Sequence, residues 1–469
     1  MLTMRNTALI IYLILSPLLN LSAQPTLIWA SCYGGSSWDM LNSTLPTPDG
    51  GYLLCGYTSS NDGDIQSGNH GGMMDCWVVK INSSGTIEWE KTYGGSSEEM
   101  IESIIPTPDG GYLFGGSTAS NDGDIQSGNH GERDCWVVKI NSSGTIEWEK
   151  TYGGSYNDGI SSTIPTNDGG YLLCGSTTSN DGDIQSGNQG GNDYWVVKIN
   201  SSGTIEWEQT YGGSNNEYIV STIPTPDGGY LLGGLTKSND GDVQSGNHGG
   251  IDYWVVKINS IGTIEWEQTY GGVEHDVQYS TIPTNDGGYL LGGYTKSDDG
   301  DIQSGNSGWD DYWLVKINNT GTIEWEQTYG GSSQEWLFSI IPTPDGGYLL
   351  SGFTQSNDGD VQSGNHGEAD YWVVKIDGTD DVNEFYNENI KTYPNPVNDK
   401  LFVNLENVQS NVNRILLFNS NGKLVFSSEG TELKSKIIEI PTLNYNTGLY
   451  NLNLYTKQGV IQRKIVIVR

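Results

Sequence analysis

Positively charged residues are scarce in this chain. There are 22 Lys and Arg against 57 Asp and Glu, for a net charge of −35 over 469 residues. From Tyr393 onward nine Lys and Arg outnumber five Asp and Glu, which leaves −39 on residues 1–392. A body of this sign repels the phosphates of nucleic acids and anionic lipids. We therefore expect no nucleic acid partner.

Cysteine and histidine are also scarce, with five of each. Cys55 and Cys174 stand where other copies of the repeat described below have Gly or Ser, and Cys76 and Cys135 stand where others have Tyr. An odd number of cysteines at equivalent strand positions is not a disulfide framework, so we expect unpaired, small apolar side chains. Since the cysteines and histidines lack close pairing, no zinc site is predicted.

Long hydrophobic runs are missing after residue 23. Before it, Arg5, the apolar run from Ala8 to Leu19 and the small residue Ala23 have the order of a secretory signal peptide, which we assign to residues 1–23. The run is too short for a stable membrane span. The sequence thus predicts a Sec-exported protein without a membrane span that acts outside the cytoplasm.

Glycine and tyrosine are abundant, at 65 and 27 residues, as in chains of short strands and tight turns. A unit of about sixty residues recurs six times, seen most clearly from Gly203-Thr-Ile-Glu-Trp-Glu-Gln-Thr-Tyr-Gly-Gly213 to Asp252-Tyr-Trp-Val-Val-Lys-Ile258. The Trp of its last segment recurs at a spacing of 59, at Trp77, Trp136, Trp195, Trp254, Trp313 and Trp372. Periods in this range indicate a propeller or a solenoid.

The two ends of the repeat series favour a closed ring. The series enters at Leu27-Ile-Trp-Ala-Ser-Cys-Tyr33, which is only the Ile-Glu-Trp-Glu segment of a unit, and it stops at Tyr371-Trp-Val-Val-Lys-Ile376 without that segment. The piece missing at the end is the piece left over at the start, whereas an open stack needs distinct caps. We predict an all-β fold, with a six-bladed β-propeller of four-stranded blades over residues 24–376, closed by residues 26–33.

Acidic residues recur at three places on one predicted loop face. The long loop between strands two and three carries Asp-Gly-Asp six times, at Asp62/Asp64, Asp122/Asp124, Asp181/Asp183, Asp240/Asp242, Asp299/Asp301 and Asp358/Asp360. The loop from strand four into the next unit carries one acid per unit, and these are candidates for a ligand-binding face: Asp39, Glu99, Asp158, Glu217, Asp276 and Glu335. A further Asp precedes each third-strand Trp, at Asp75, Asp134, Asp193, Asp252, Asp311 and Asp370.

Two interpretations of the Asp-Gly-Asp loops stay open. Carboxylates at alternate positions around a Gly can chelate Ca²⁺, a hard cation that takes six to eight oxygen ligands. The match to a calcium loop is loose, and the same residues are also turn formers whose side chains bond their own backbone. His70, His130, His248 and His366 follow in the loop, but Gln189 and Ser307 replace them in two units, so a required ligand is not expected there.

A few positions depart from the repeat and are where a unique site could lie. They are His275-Asp276, Trp38, Trp309 and Trp336. The alternative is that they serve packing particular to one unit.

The composition changes after Ile376. A polar linker covers residues 377–392, and short strand patterns follow at Leu401–Leu405, Arg414–Phe418, Lys423–Phe426, Lys436–Ile440, Leu449–Tyr455 and Val460–Val468. Hairpin turns are predicted at Asn421-Gly422 and Lys457-Gln-Gly459. Fewer than eighty residues of short strands predict a small sandwich.

This C-terminal module resembles a known family. Tyr393-Pro-Asn-Pro396, Phe418-Asn-Ser-Asn-Gly-Lys423, Thr447-Gly-Leu-Tyr-Asn-Leu-Asn-Leu454 and Lys464-Ile-Val-Ile-Val468 are similar to the C-terminal sorting domain of the type IX secretion system of Bacteroidota. The resemblance implies an Ig-like sandwich over residues 393–469, the secretion machinery as a partner, and a passenger that is secreted or displayed on the outer membrane surface. It also implies a sorting motif made of Tyr393, Pro394, Asn395 and Pro396.

The repeats resemble uncharacterised propeller repeats of secreted bacterial proteins, which imply no activity. Their sixfold repetition favours a non-enzymatic binding or adhesion scaffold. An enzyme needs acid, base or nucleophile in different environments, whereas these acids are copied with near-identical neighbours, which suits multivalent binding to an extracellular glycan or protein. No catalytic residue and no certain cofactor is assigned, and Ca²⁺ is the one candidate ion. The alternative is a glycoside hydrolase or lyase that uses two carboxylates from different blades, with the six loop-face acids from Asp39 to Glu335 as its candidates.

Overall fold

A computed structural model describes residues 28–344, 346–377, 391–405, 412–419, 423–429, 437–456 and 459–468. Over these ranges every regular element is a β-strand, as the composition predicts. The predicted signal peptide, nearly all of the linker, and the turn residues at 421–422 and 457–458 lie outside the described residues. Within the described ranges, no helix has the length and apolar character needed to cross a membrane.

The repeats form six antiparallel sheets, numbered here 1 to 6, with their strands in chain order; sheets 1 to 5 have four strands and sheet 6 has three. The strands of sheets 1 to 3 are β1 Asp39–Pro46, β2 Tyr52–Thr58, β3 Asp75–Ile81, β4 Ile87–Tyr93, β5 Glu99–Pro106, β6 Tyr112–Thr118, β7 Asp134–Ile140, β8 Ile146–Tyr152, β9 Asp158–Pro165, β10 Tyr171–Thr177, β11 Asp193–Ile199 and β12 Ile205–Tyr211. Those of sheets 4 to 6 are β13 Glu217–Pro224, β14 Tyr230–Thr236, β15 Asp252–Ile258, β16 Ile264–Tyr270, β17 Asp276–Pro283, β18 Tyr289–Thr295, β19 Asp311–Ile317, β20 Ile323–Tyr329, β21 Glu335–Pro342, β22 Tyr348–Thr354 and β23 Asp370–Ile376.

The hydrophobic cores lie between consecutive sheets. One cluster joins Leu172 and Val196 of sheet 3 to Ile219 and Trp254 of sheet 4. The Tyr194 ring lies 4.7 Å from the Trp254 ring, and its hydroxyl donates to the Trp254 carbonyl oxygen at 3.1 Å. The third strands of sheets 1 to 5 are buried along their whole length. Sheets pack on both faces of sheets 2 to 5, whereas in sheet 1 Tyr33 packs on the outer face of the third strand. Burial of each aromatic side chain stabilises the folded state by about 2 kcal/mol.

Each first strand contains a β-bulge at its fourth residue. In β21, for example, Leu337 pairs with Gly352 and Ser339 pairs with Ser351, so Phe338 has no partner in the register. A bulge inserts one extra residue and re-aims its side chain. The same shift recurs in all six sheets, at Asn42, Glu102, Ser161, Val220, Tyr279 and Phe338.

The hairpin between strands three and four corrects one sequence prediction. The sequence Asn82-Ser-Ser-Gly-Thr86 predicts a three-residue turn that places Lys80 opposite Glu88. Instead Lys80 pairs with Trp89 and Ile81 pairs with Ile87, so the register shifts around Glu88. The Asn82 side-chain oxygen holds the turn, since it accepts bonds from the backbone N–H groups of Ser84 and Thr86. The predicted contact still forms, because the Lys80 Nζ lies 2.7 Å from Glu88 Oε2.

The ends of the array are open. Consecutive first strands contact one another from β1 with β5 to β17 with β21, while the described residues show no comparable contact between β21 and β1. Tyr371 on β23 is 96% exposed, whereas the equivalent Tyr312 is fully buried. On sheet 1, Leu41 is 58% exposed, whereas the equivalent Ile101 is fully buried.

The described part of the predicted closing segment, residues 28–33, is bonded to sheet 1. Residues 28–33 form no strand and β23 pairs with β22 alone among the described residues, so completion of sheet 6 is not observed. Instead the Tyr33 hydroxyl donates to the Gly85 carbonyl oxygen at 2.5 Å, and the Trp29 indole N–H donates to Ser83. The fourth strands bind the next sheet in the same way, as in the bond from Tyr93 to Gly144.

The C-terminal module contains two antiparallel sheets around one core. Their strand orders are β24-β25-β28 and β27-β26-β29-β30. The strands are β24 Lys391–Tyr393, β25 Lys400–Asn404, β26 Val412–Asn419, β27 Leu424–Glu429, β28 Ile437–Pro441, β29 Gly448–Thr456 and β30 Gly459–Ile467. Leu401 of the first sheet and Ile415, Leu452 and Ile465 of the second share the core. This is a small sandwich, and its Ig-like topology stays a prediction.

The four residues of the predicted sorting motif, 393–396, lie where the chain leaves β24. The peptide bonds that precede Pro394 and Pro396 are both cis. The Asn395 side chain is bonded to the last strand, β30: its Nδ2 donates to the Lys464 carbonyl oxygen at 2.9 Å, and its Oδ1 accepts a bond from the Val466 N–H at 2.8 Å. Asn395 thus fastens the start of the module to its end. This structural role was not predicted, and a role of the motif in sorting stays a prediction.

Candidate binding surface on the loop face

The Asp-Gly-Asp loop of each unit is bonded to the segment that leads into the same unit from strand four of the unit before. In this subsection that segment between units is called the linker. Asp122 Oδ1 accepts a bond from the Ser96 backbone N–H at 2.7 Å, and Asp124 Oδ2 accepts one from the Gly94 N–H at 3.1 Å. In return the Asp124 N–H donates to the Gly94 carbonyl oxygen. The two loops therefore lie on one face, as the sequence predicts.

Both bonds recur in every unit. The bond of the first aspartate is found at Asp62, Asp181, Asp240, Asp299 and Asp358. The bond of the second aspartate to a Gly N–H of the linker is found at Asp64, Asp183, Asp242, Asp301 and Asp360. One oxygen of each of these carboxylates is therefore already bonded to the backbone.

These bonds show what the Asp-Gly-Asp aspartates do in the fold. The Ser96 N–H is the largest cause that holds the pKa of Asp122 below its ordinary value. The turn-forming interpretation thus accounts for the bonded oxygens. Among the described residues no three His, Cys, Asp or Glu side chains are arranged as a metal site. The Ca²⁺ assignment stays a hypothesis.

The acids proposed for the ligand face lie beneath the loop surface. Glu99 Oε2 accepts a bond from the Gly95 N–H at 2.8 Å, and its Oε1 accepts one from the Thr118 hydroxyl at 2.7 Å. The backbone N–H groups of the linker need a hydrogen-bond acceptor, and these carboxylates provide it. The acidic side chains therefore turn inward. The corresponding side chains are buried at Asp158, Glu217, Asp276 and Glu335, while Asp39, in the first sheet, is partly exposed.

In units 1 to 5 the aspartates before the third-strand Trp share that buried layer, a role that the sequence did not indicate, whereas Asp370 of unit 6 is partly exposed. Asp193 is fully buried, and one of its oxygens has no hydrogen-bond partner. Burial, followed by the charges of Glu217 and Asp242, raises the pKa of Asp193 to about 7. Burial and neighbouring carboxylates likewise raise the pKa of Asp311 to about 7. The signal that could have located this layer is their constant place two residues before a buried Trp, which puts them at the start of a buried strand.

The loop histidines bind the same aspartates. His248 Nδ1 lies 2.8 Å from Asp252 Oδ2, and its backbone N–H donates to that oxygen. In the two units without histidine the backbone N–H of Gln189 or Ser307 makes the equivalent bond. The bond from the backbone N–H to the aspartate forms in all six units, whether the residue is His, Gln or Ser. The histidine side chain is therefore replaceable, as the sequence predicts.

Of the positions that break the repeat, two tryptophans lie on the surface. Trp38 and Trp309 are exposed, and so is His275. Trp336 is half-buried, and its indole N–H donates to Asp310 Oδ2 at 2.8 Å. The structure therefore does not gather these residues into one site, although Trp336 belongs to an aromatic cluster considered below.

The linker acids are bonded alike from unit to unit. In units 2 to 6 each linker acid accepts one bond from a Gly N–H and one from a Thr hydroxyl. The aspartates before the third-strand Trp differ more, since the pKa of Asp193 is raised to about 7 and that of Asp370 is lowered.

The fold defines an all-β protein of repeated antiparallel sheets, consistent with a propeller, that precedes a small sandwich. Residues 391–468 match the model of the secretion system C-terminal sorting domain, which confirms the resemblance drawn from the motifs. The C-terminal module is a type IX sorting domain, and the protein is secreted or displayed at the cell surface. No curated protein matches the sequence.

Several solved structures resemble the chain at low similarity. A Synechocystis apocarotenoid oxygenase mutant is 13% identical with a TM-score of 0.35, and the match covers 62% of this chain and 61% of that one. A puromycin hydrolase is 12% identical with a TM-score of 0.39, over 79% of this chain and 50% of that one. YCF48 bound to D1 peptide is 8% identical with a TM-score of 0.34, over 95% of this chain and 99% of that one. The chain therefore spans about three fifths of the oxygenase, and these likenesses carry no functional argument.

Proposed function

We propose that the protein is a non-enzymatic binding or adhesion scaffold, exported by the Sec and type IX pathways. Residues 1–23 are the signal peptide, residues 24–376 a six-bladed propeller, residues 377–392 a linker and residues 393–469 the sorting domain. The observation that carries the proposal is the repeated loop face, on which the exposed first aspartate of the Asp-Gly-Asp loop makes the same backbone bond in all six units. Such repetition supports many equivalent contacts to an extracellular glycan or protein.

The ring is closed, in this proposal, by residues 26–33. Two observations support it: Tyr33 already binds Gly85 as a fourth strand would, and the open faces of sheets 1 and 6 expose residues that are buried between the other sheets. An unpaired strand edge beside an apolar face is a liability that folded proteins cover. The N-terminal segment has the sequence of the missing fourth strand.

An enzyme acting on polysaccharides is the second candidate. The observation that favours it is the pKa of about 7 at Asp193 and at Asp311, which suits a general acid near neutral pH. Against it, both carboxylates are fully buried.

A screen of the purified full chain against neutral and acidic polysaccharides tests the proposal. Binding in affinity electrophoresis without new reducing ends or unsaturated products is the expected result. Product formation that Asp193→Asn or Asp311→Asn abolishes, while Asp298→Asn on the exposed loop does not, would refute the scaffold and support the enzyme.

A further inference from the structure

The bulged residues show where the repeat changes character. Each first strand re-aims one side chain at its bulge, and these side chains are exposed or half-exposed. Since the same strand folds with a serine at this position in unit 3, the fold does not require an aromatic ring there. Units 1 to 4 carry Asn42, Glu102, Ser161 and Val220, whereas units 5 and 6 carry Tyr279 and Phe338.

The two bulged rings belong to a cluster of five aromatics in sheets 5 and 6. The Tyr279 and Phe338 centroids are 5.1 Å apart, with the rings edge to face. Phe353 lies 6.0 Å from Phe338 and 5.3 Å from Trp336. Trp336 in turn stacks on Tyr294 at 4.8 Å and 12°. Phe338 is 45% exposed, and the equivalent Glu102 and Ser161 are exposed even though sheets pack on both sides of them, so the cluster keeps an open side when the ring closes.

The cluster is held by Asp310, an aspartate found at this position in unit 5 alone. The buried Asp310 accepts the Trp336 indole N–H, and Lys296 Nζ lies 3.6 Å from its other oxygen. Units 2 and 3 have Arg133 and Asn192 in place of Asp310. Asp310 and the stacked tyrosine fix the plane of the indole, and a fixed surface loses little entropy when it binds a ligand.

We propose that this aromatic cluster is a binding site for a neutral carbohydrate chain, a proposal that rests on the scaffold function and names its ligand. A pyranose ring has a face of C–H groups and a rim of hydroxyls, so it can cover Phe338 while its hydroxyls stay in water. A purely apolar small ligand needs an enclosed pocket, and this side is open. The net charge of −39 on residues 1–392 opposes anionic chains.

Calorimetry of the full chain with cellohexaose, xylohexaose, mannohexaose and laminarihexaose, and with hexagalacturonic acid as the anionic comparison, tests the site. At least one neutral hexasaccharide is expected to bind. Phe338→Ser, which installs the residue of unit 3, should raise the dissociation constant of that hexasaccharide tenfold or more. Tyr279→Ser should do the same, whereas Phe338→Tyr should retain binding. Tyr57→Ser is the matched control, because Tyr57 occupies the equivalent of Tyr294 in unit 1, away from the cluster.

Each other outcome overturns the site. No binding of any neutral hexasaccharide, tighter binding of the acidic one, or binding unchanged in both serine variants would do so. Circular dichroism melting identifies a variant that fails to fold, in which case the remaining serine variant decides. Chromatography of the same mixtures separates the two proposals: product formation refutes the scaffold, whereas intact oligosaccharides without binding refute only the carbohydrate site.

Discussion

At the residue scale, the repeated lysine of strand three is a structural ion pair. Lys198 is buried, and its Nζ lies 2.6 Å from Glu206 and 3.0 Å from Asp168, both partly exposed. The pair of carboxylates keeps the pKa of Lys198 above its ordinary value although burial opposes this. The amine joins the turn before strand two to strand four, which explains why one residue type fills this place in six units.

Lys198→Met should therefore destabilise the fold by about 1–3 kcal/mol, since it keeps the packing of the stem but leaves two carboxylates without their cation. The measurement is the free energy of urea unfolding. Lys150→Met, at an exposed position, is the control and should have little effect. Equal stability of both variants would mean that the pair contributes nothing to the fold.

The buried aspartates predict a pH dependence. An unfolded Asp has a pKa near 3.8, whereas the pKa of folded Asp193 and Asp311 is about 7. Between these values the folded state binds more protons, so stability falls as pH rises through this window. The melting temperature should be a few degrees higher at pH 5.5 than at pH 8. The turn aspartates, such as Asp168 with a pKa of about 2, remain ionised over this range.

The double variant Asp193→Asn/Asp311→Asn should flatten that pH profile. Asp298→Asn changes the same charge on an exposed loop and should leave the profile unchanged. A melting temperature that is independent of pH in the unmodified protein would contradict ionisation of these buried groups.

At the element scale, the Asp-Gly-Asp loop and the Gly-Gly linker act as one unit. Gly63 has a φ of 68° in this loop, a left-handed conformation that glycine adopts without strain. The flanking Asp62 and Asp64 then point at the linker N–H groups. This bonding orders a long loop without regular structure, and it is a function that the aspartates perform whether or not an ion binds.

A calcium titration separates the two roles. If Ca²⁺ binds only the folded loops, CaCl₂ should raise the melting temperature above that in EDTA, and more than MgCl₂ or NaCl at matched ionic strength. Asp240→Asn/Asp242→Asn should lose one sixth or less of that gain, and the same pair of changes in all six loops should abolish it. A gain that NaCl reproduces would leave only the bonds to the linker.

At the scale of the whole molecule, the ends of the array decide its shape. In sheets 1 to 5, strand three pairs with strand four, as Val78 does with Lys91. By the repeat alignment the closing strand places Ser31 opposite Val373, and both residues are exposed in the open array. Opposed residues have Cβ atoms about 5 Å apart, close enough for an engineered disulfide.

The variant Ser31→Cys/Val373→Cys, with Cys32→Ser to remove the neighbouring thiol, should form a disulfide within one chain on mild oxidation. The readout is a non-reducing gel with peptide mass spectrometry. Each single cysteine variant controls for random pairing between chains. A disulfide-linked ladder of chains at low protein concentration would contradict the ring and indicate head-to-tail pairing.

The sequence by itself determined the periodic features of this protein. Strand types and order, the shared face of the Asp-Gly-Asp and linker loops, the burial of Cys55 and Cys174, and the sorting module follow from local pattern, because alternation, turn residues and motifs act over a few residues. Sequence could not decide whether Glu99 faces a ligand or the interior. That depends on linker N–H groups which only the packed sheets bring within reach.

Only the tertiary structure decided the features that join distant residues. The bulge that re-aims Phe338, the shifted hairpin at Glu88 and the aromatic contacts between sheets 5 and 6 arise from register and packing. No single window of the sequence carries them. Long-range pairing depends on the summed fit of whole strands, so a residue that looks idiosyncratic along the chain, such as Trp336, gains its meaning from Tyr294 and Asp310, which approach it in space.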